Sequence, residues 1–414
     1  MNRRDILRTG CAVLSTAGIG TRLLAAPASG PRFLLVFLRG GYDCANLLIP
    51  YSSSFYYESR PRIAVPRPGA GASTDAAPAA GANPQISASP SSALALDADW
   101  ALAPAVRESI GPLYSKGQVA FIPFAGTDDL SRSHFHTQDT IELGAQGASA
   151  QRDYRSGFLA RLSAVLTDCA PISFTDGLPL TFKGGVGIPN LELDGSAKPA
   201  LDERQASQLN AMYAGTPLGG AVADGLQLRQ EVARSTENEI RAANRGAGDS
   251  AGLEVKAARM AQLMRGRYRL GFVDVGGWDT HVNEGAAQGN LANSLHNLGE
   301  GLQAFAAAMG PDWKDTVVVV VSEFGRTFRE NGNGGTDHGH GSAYWVMGGS
   351  ISGGRIAGEQ ARIAHDTLFQ DRDFPVLNDH RAVLGGLFRR MWGMSSAQIE
   401  RVFPNAVPTD LKLI

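Results

Sequence analysis

The sequence predicts an α/β fold in three layers, in which two layers of helices cover a mostly parallel central sheet. Short apolar runs typical of buried strands alternate with longer amphipathic stretches typical of helices. The runs are continuously apolar rather than alternating, as expected for strands that are covered on both faces. Of the 414 residues, 43% are hydrophobic, which is enough for one large core or two ordinary ones. A disordered chain is excluded by the same fraction.

The first half of the chain begins with a strand. The apolar run 33–38 ends at two glycines, and 119–123 is a second strand candidate. Helices are predicted from about Phe135 to Leu143 and at 157–166. Residues 171–200 are punctuated by glycine and proline, so short strands are expected there.

The second half of the chain alternates more regularly. Two amphipathic helices precede a strand, a periodic helix, a run of five valines, a further strand and a last core helix. In chain order these lie at 222–244, 253–265, 270–274, 288–308, 316–321, 343–347 and 381–393. Strands that alternate with helices favour parallel pairing.

Residues 1–28 have the order of an export signal. Arg3 and Arg4 precede a weakly apolar stretch, and Ala-Pro-Ala at 26–28 is typical of a cleavage site. The arginine pair and the moderate hydrophobicity predict export by the Tat machinery, to the periplasm or out of the cell. The apolar stretch is shorter than the ~20 residues of a membrane span, so no stable span is expected.

The mature chain, 29–414, is expected to form a single domain with a Gly-, Ala- and Pro-rich surface insertion near 66–98. Its balance of 38 basic and 40 acidic residues gives no field that would attract nucleic acid. Cys44 and Cys169 would remain after cleavage, too few for a disulfide scaffold, and they could pair or stay as thiols. The oligomeric state is left open.

Glycine-containing loops beside four of the strands carry possible metal ligands. These are Asp43 after the first strand, Asp279 and His281 after the strand near 270, Glu323 after the valine run, and Asp337, His338 and His340 before the strand at 343. Ligands of open α/β sheets bind beyond the carboxyl ends of the strands. Mixed imidazole and carboxylate ligands suit Zn²⁺, Mn²⁺ or Fe, with Mg²⁺ or Ca²⁺ possible at an oxygen-rich site. The sequence therefore predicts a divalent metal site.

Each of these residues also has an ordinary structural interpretation. An aspartate after a strand is often a helix cap or a turn residue. Glu323 could simply pair with Arg326. The metal hypothesis depends on several loops offering ligands at one edge of the sheet.

A further block, residues 131–136, opens the helix after the second strand and adds His134 and His136. A hydroxyl at a helix N-terminus lies where backbone N–H groups favour an anion, and a nearby metal could activate Ser133 as a nucleophile. Arg132 could clamp two oxygens of a phosphate or a sulfate. The alternative is that Ser133 only caps the helix and that the histidines are polar surface. Ser131 and Cys44 are rival nucleophiles.

Five segments together resemble one bacterial family, domain-of-unknown-function 1501. They read FLRGGYD, SRSHFHTQDTIELG, GGWDTH, VVVVVSEFGRT and GTDHGHGSAYWVMGG. The resemblance extends from about Arg32 to Phe403. That family is similar to the alkaline phosphatase superfamily, which includes sulfatases. The resemblance implies an alkaline-phosphatase-like fold with two metal ions at the carboxyl edge of the sheet.

The resemblance also implies roles for individual residues. Asp43 resembles the first metal aspartate of the superfamily, and Asp279 and His281 resemble its Asp and His pair. Glu323 lies where the superfamily shows Asp-His, and Phe324 stands in place of that histidine. His338 or His340 resembles a late histidine ligand, and Asp337 could replace the lost one. Ser133 is the best match to the nucleophile.

Three hypotheses for function follow. The first is an exported metal-dependent hydrolase of phosphate or sulfate esters, on a small-molecule or polymer substrate. The second is a non-catalytic metal-binding or assembly protein of the periplasm with the same fold. The third is a redox or other metalloenzyme, which Tat export and the histidines would suit.

Overall fold

The computed structural model describes residues 30–70, 91–146, 152–175, 177–193, 203–227 and 252–414. Residues Pro31–Ile414 form one compact unit. The predicted export signal at 1–28 lies outside the described residues, as does most of the predicted insertion at 66–98.

The centre of the fold is an eight-stranded sheet within the described residues, and a three-stranded sheet lies beside it. The strands are β1 Arg32–Leu38, β2 Leu48–Ile49, β3 Leu94–Ala95, β4 Ala101–Leu102, β5 Val119–Gly126, β6 Pro171–Ser173, β7 Leu270–Val275, β8 Thr316–Ser322, β9 Ser342–Gly348, β10 Arg355–Ile356 and β11 Asn378–Asp379. The large sheet has the order β10-β5-β9-β8-β1-β7-β6, and β11 also pairs with β5.

One strand of the large sheet runs against the others. β9 is antiparallel to both of its neighbours, β5 and β8, whereas the remaining pairs are parallel. The predicted mostly parallel sheet is therefore confirmed. Because β9 is reversed, the loop before it lies at the edge where β1, β5, β7 and β8 end.

Strand β1 shows why the sheet is covered on both faces. Its alternate side chains belong to two separate cores: Leu34 and Val36 to one, Phe33 and Leu35 to the other. It pairs with the valine-rich β8 from Arg32↔Thr316 to Leu38↔Ser322. Both strands are buried along their whole length, which explains why neither shows polar alternation.

Helices form the two outer layers. The named helices are α1 Ser54–Ser59, α2 Ile110–Ser115, α3 His134–Leu143, α4 Phe158–Val165, α5 Glu203–Tyr213, α6 Leu253–Arg265, α7 Asn290–Met309, α8 His380–Trp392 and α9 Ser396–Val402. α6 and α7 contribute to the core on one face of the sheet, and α4, α8 and α9 to the core on the other. The predicted three-layer sandwich is confirmed.

The long elements agree with the sequence predictions to within a few residues. The predicted strands at 33–38, 119–123, 270–274, 316–321 and 343–347 are β1, β5, β7, β8 and β9. The helix predicted at 222–244 is helical over 219–227, and its remainder lies outside the described residues. The short strands β2, β3, β4, β10 and β11 are not predicted from the sequence, because two residues carry no periodic pattern.

In the described part of the chain, no helix combines the length and the apolar character that a membrane crossing requires.

Cys44 and Cys169 are free thiols, and they lie in the cores on opposite faces of the sheet. Burial raises the pKa of the Cys169 thiol to about 12. Burial raises the pKa of Cys44 as well. A buried thiol with a raised pKa is a poor nucleophile, which argues against Cys44 in that role.

Candidate metal centre

Four side chains meet at the carboxyl edge of the sheet. His134 is the first residue of α3, beyond β5; Asp279 and His281 follow β7; His338 precedes β9. Ligand atoms of His134, Asp279 and His338 all lie within 4.8 Å of one another. His281 completes the group, since its Nε2 is 3.1 Å from Nε2 of His338 and 3.0 Å from Oδ1 of Asp279.

His338 occupies the middle of this group. Its Nε2 lies 2.9 Å from Nε2 of His134 and 3.2 Å from Oδ1 of Asp279. Side chains of the four residues are 23% to 43% exposed, so the group opens to solvent. Nitrogen and oxygen atoms from three separate segments thus converge on one small volume.

The other ring nitrogen of each imidazole is engaged by an acceptor. Nδ1 of His134 lies 2.7 Å from Oε1 of Glu323. Nδ1 of His281 lies 3.2 Å from Oδ1 of Asp337, and Nδ1 of His338 lies 3.1 Å from the carbonyl oxygen of Arg132. Carboxylates and carbonyls only accept hydrogen bonds, so each Nδ1 carries the proton. In the neutral form, each Nε2 therefore presents a bare lone pair.

These three lone pairs and the Asp279 carboxylate repel one another unless a proton or a metal cation lies among them. Burial and the charges of His134 and Arg326 lower the pKa of His338, so a proton does not settle there readily. An imidazole that binds metal through Nε2 usually donates its Nδ1–H to a carboxylate or a carbonyl. The donor set fits a metal ion on both counts.

Glu323 is a buried partner of His134 rather than a member of the converging group. Its Oε1 accepts hydrogen bonds from Gly40 N at 2.8 Å and from Gln138 Nε2 at 2.9 Å, besides facing His134. Burial alone would raise the pKa of Glu323, but the hydrogen bonds from His134 and Gln138 hold it below its ordinary value. The hydrogen bond to Glu323 in turn raises the pKa of His134. The structure thus places Glu323 as the group that orients this imidazole.

Asp337 has the same relation to His281. It accepts from His281 at 3.2 Å and from Asn331 Nδ2 at 3.2 Å. Burial tends to raise its pKa, and the bonds from Asn331 and His281 lower it overall. Both carboxylates therefore orient imidazoles, where the sequence analysis had counted them as ligands.

Asp279 is paired with the guanidinium of Arg326. Its Oδ1 accepts a hydrogen bond from Nη1 of the fully buried Arg326 at 2.6 Å. Burial raises the pKa of Asp279, but Arg326 outweighs that effect and keeps the pKa low. Arg326 also donates to the side chain and the carbonyl of Thr336, at 3.1 and 2.6 Å. The guanidinium thereby joins the two loops that carry Asp279 and His338.

Phe324 closes the inner wall of the centre. Its ring centroid lies 4.9 Å from that of His134 and 5.1 Å from that of His338. The resemblance described from the sequence implies a histidine ligand at this position. The apolar ring of Phe324 offers no donor atom to the centre.

Gly40 shows how tightly the loops pack around the centre. Its φ is +129°, and a Cβ there would lie 2.7 Å from the backbone nitrogen of Asp279. Only glycine accommodates both that backbone angle and that approach. Gly40 also donates its N–H to Glu323, so this residue connects the loop after β1 to the loops after β7 and β8.

Asp43 does not join the converging group. It is 1% exposed, and both of its carboxylate oxygens accept from the guanidinium of Arg60, which is fully buried. Burial tends to raise the pKa of Asp43, and Arg60 lowers it overall. The chain itself supplies the cation that the sequence analysis had assigned to a metal.

His340 also lies apart from the group. It is buried, and its ring packs 4.9 Å from that of Phe369. Burial, together with the charge of Arg132, lowers the pKa of His340 to about 4. Of the two histidines in this loop, the structure brings only His338 to the centre.

Ser133 and Arg132 lie beside the centre with different environments. Ser133 is the N-cap residue of α3, and its side chain makes no capping hydrogen bond. The Arg132 guanidinium is held by Asp373, at 2.9 and 2.7 Å, and by Gln370 at 2.6 Å. Arg132 has a left-handed φ of +51°, and its carbonyl orients His338. Its side chain is therefore committed to Asp373 rather than free to clamp an anion.

His134 and Gln138 are the site residues that the sequence analysis did not assign. From the sequence, His134 belongs to the block 131–136 and not to the predicted metal ligands. His134, Gln138 and Glu142 recur every four residues along α3, and Arg39 bonds both Gln138 and Glu142 at 2.9 Å. That spacing places polar side chains on one face of a helix, and it is the signal that could have identified them.

The chain belongs to the DUF1501 family of proteins of unknown function, whose sequence profile matches residues 31–403. The predicted family resemblance is thereby confirmed. No curated protein matches the chain in sequence.

Several solved structures are similar to this chain at low identity. A protein of the alkaline phosphatase superfamily from Vibrio parahaemolyticus is 10% identical, with a TM-score of 0.36 over 79% of this chain. This chain spans only 62% of that protein. The lipoteichoic acid synthase LtaP from Listeria monocytogenes is 8% identical, with a TM-score of 0.41 over 94% of this chain and 77% of its own. A 2-O GAG sulfatase is 8% identical, with a TM-score of 0.36 over 89% and 71%. Because these TM-scores are low, the activities named for these proteins are not assigned to this chain.

Proposed function

We propose that this chain is an exported, metal-dependent hydrolase of phosphate or sulfate esters that holds one divalent ion. The observation that carries the proposal is the convergence of three imidazole Nε2 atoms on one carboxylate, with every Nδ1 engaged elsewhere. His134, Asp279, His281 and His338 would hold the ion. Three nitrogens and one oxygen suit Zn²⁺ or Mn²⁺ better than Mg²⁺ or Ca²⁺.

One ion, rather than the two that the superfamily resemblance implies, follows from the fixed cations. Arg60 neutralises Asp43, and Phe324 stands where a further ligand would be needed. A second ion would therefore have to displace a buried guanidinium from its carboxylate, which is costly.

The neighbouring residues have separate tasks in this proposal. A divalent ion would supply a Lewis acid for an ester oxygen. Glu323 and Asp337 hold the imidazoles of His134 and His281 in the required tautomer. The Ser133 hydroxyl, which makes no capping bond, is free to attack the phosphorus or the sulfur. Its proton leaves with the alcohol, and water then cleaves the serine ester.

Exposed apolar side chains beside the ligands favour an ester with an apolar alcohol group. Phe135, directly after His134, is 82% exposed, and Val282, directly after His281, is 52% exposed. Exposed apolar patches beside polar groups mark ligand-binding or interaction surfaces. An aryl phosphate and an aryl sulfate are therefore the first substrates to assay.

The test combines elemental analysis with an ester panel, on the mature protein and on His338→Ala and Ser133→Ala. One equivalent of metal in the wild type, lost in His338→Ala, is expected. Turnover of at least one ester should disappear in Ser133→Ala although the metal is retained. If Ser131→Ala abolishes turnover instead, the nucleophile is Ser131.

A second candidate is a metal-binding protein without hydrolytic activity. It is favoured by the engagement of Arg132 with Asp373, because the anion clamp expected from the sequence is not free. Bound metal with no turnover across the panel, and a Ser133→Ala variant that behaves as the wild type, would select this candidate.

Export by the Tat machinery to the periplasm or beyond is part of the proposal, and the Arg3-Arg4 pair supports it. Replacement of both arginines by lysine should retain the precursor in the cytoplasm. Fractionation of cells that express the full chain measures this directly.

A further inference from the structure

We infer that Glu284 is the positioning residue that locks the two ligand-bearing loops together, and so controls metal affinity without contacting the metal. This inference rests on the proposed metal centre. Glu284 lies three residues beyond His281 and is fully buried. Its backbone N–H donates to the carbonyl of Gly334 at 2.9 Å, so its main chain already bridges the loop after β7 and the loop before β9.

A single oxygen of Glu284 joins both loops through their threonines. Oε2 accepts from Thr280 Oγ1 at 3.0 Å and from Thr336 Oγ1 at 2.8 Å. Thr280 stands between the ligands Asp279 and His281, and Thr336 stands two residues before His338. Thr336 N also donates to the Thr280 carbonyl at 3.1 Å. Removal of this oxygen would release both hydroxyls at once.

The connection continues to a ligand through Arg326. The Thr336 hydroxyl accepts from Arg326 Nε at 3.1 Å while it donates to Glu284. Arg326 Nη1 then donates to Asp279 at 2.6 Å. A chain of three hydrogen bonds therefore leads from Glu284 to a metal ligand, and every link before Asp279 is buried.

The second oxygen of Glu284 faces Asp43 and Asn46. Asn46 Nδ2 lies 3.4 Å from Oε1, and the Glu284 and Asp43 side chains share a hydrogen bond. Burial, then the charge of Asp43, raises the pKa of Glu284 well above its ordinary value. One oxygen of Glu284 accepts two hydroxyls, and the amide oxygen of a glutamine can reproduce that role.

The test is a Co²⁺ titration of the metal-free full chain, followed by visible absorption. Glu284→Ala should bind Co²⁺ about 10-fold to 100-fold more weakly, as is typical when residues that orient ligands are lost. Its Co²⁺ spectrum should change, because the ligand geometry changes. Glu284→Gln should restore both the affinity and the spectrum. Thr336→Val removes the hydroxyl that bonds both Arg326 and Glu284 but leaves the bond from Thr280 to Glu284, so it should weaken binding in the same direction.

Ile399→Ala is the matched control. Ile399 is buried in α9, in the core that α4, α8 and α9 share, so its truncation should lower stability without changing the ligands. Its Co²⁺ affinity and spectrum should equal those of the wild type. If Glu284→Ala does not fold, the Co²⁺ affinities of Thr336→Val and Glu284→Gln still test the inference. Wild-type affinity in both Glu284→Ala and Thr336→Val, or a Glu284→Gln variant as weak as Glu284→Ala, overturns the inference. Absence of Co²⁺ binding by the wild type overturns the metal centre itself, and the inference with it.

Discussion

Two clusters at the same edge of the sheet use similar residues in opposite ways. The buried cluster consists of Asp43, Glu284 and Arg60, each at most 1% exposed. The open cluster consists of His134, Asp279, His281 and His338, with side chains 23% to 43% exposed. Arg60 bonds both oxygens of Asp43, so the buried cluster is neutralised by the chain itself. In the open cluster, three imidazole lone pairs have no comparable partner.

This contrast indicates where an ion is needed. Buried carboxylates must be paired or protonated, and the fold meets that need at Asp43 with the guanidinium of Arg60. The imidazoles are instead held with their lone pairs converging and their other nitrogens occupied. A site prepared in this way gains from a cation that comes from solution, and solvent can reach it.

The largest effect should follow from removal of the internal cation. Arg60→Met leaves Asp43 charged and unpaired in the core, so the free energy of unfolding should fall by about 3–5 kcal/mol. Urea denaturation with and without chelator measures this, and the loss should be the same in both. Arg62→Met, which breaks the half-exposed pair with Glu330, should cost less than about 1 kcal/mol. A chelator-dependent loss in Arg60→Met would erase the distinction between the clusters.

Burial of His340 should make the stability of the fold depend on pH. Its pKa is about 4 in the fold against an ordinary 6.5, so the unfolded chain takes up a proton first as the pH falls. Stability should therefore be lost between about pH 6.5 and 4, by about 3 kcal/mol. Denaturation of the wild type and of His340→Phe across that range gives the difference. Parallel pH profiles for the two proteins would contradict this assignment.

A divalent cation from solution should stabilise the protein by binding the open cluster. Zn²⁺ at 100 times its dissociation constant should stabilise the wild type by about 2.7 kcal/mol, because it binds the folded state. His338→Ala should lose this stabilisation while remaining folded, since His338 is the residue that meets all the other ligands. Thermal unfolding with and without Zn²⁺ measures it. An equal Zn²⁺ effect in His338→Ala would mean that the ion binds elsewhere.

The smallest effect is expected at Ser133. Because its side chain makes no capping bond, Ser133→Ala should change the free energy of unfolding by no more than about 0.5 kcal/mol. Ser395 provides the comparison, since its hydroxyl does accept from Gln398 N, and Ser395→Ala should cost about 1 kcal/mol. A large loss of stability in Ser133→Ala would assign its hydroxyl to structure rather than to chemistry.

Sequence patterns located the elements of the fold well, because periodicity reports burial. The apolar runs of β1 and β8 and the period of α7 are local properties of the chain. The site was located less completely. The loops after β7 and before β9 were identified, and so was the family. The assignment of ligands among Asp43, Glu323, Asp337 and His338 was not recoverable from spacing, because every one of them has a suitable donor atom.

The sequence by itself determined the fold class, the loops that carry polar residues and the family. Only the tertiary structure decided which of those residues converge. The reversal of β9 brings His338 to the edge where β1, β5, β7 and β8 end, and strand direction leaves no mark in an apolar run. Arg60 reaches Asp43 from 17 residues away, and Arg326 reaches Asp279 from 47. The role of a carboxylate depends on which cation arrives beside it, and that is a long-range property of the folded chain.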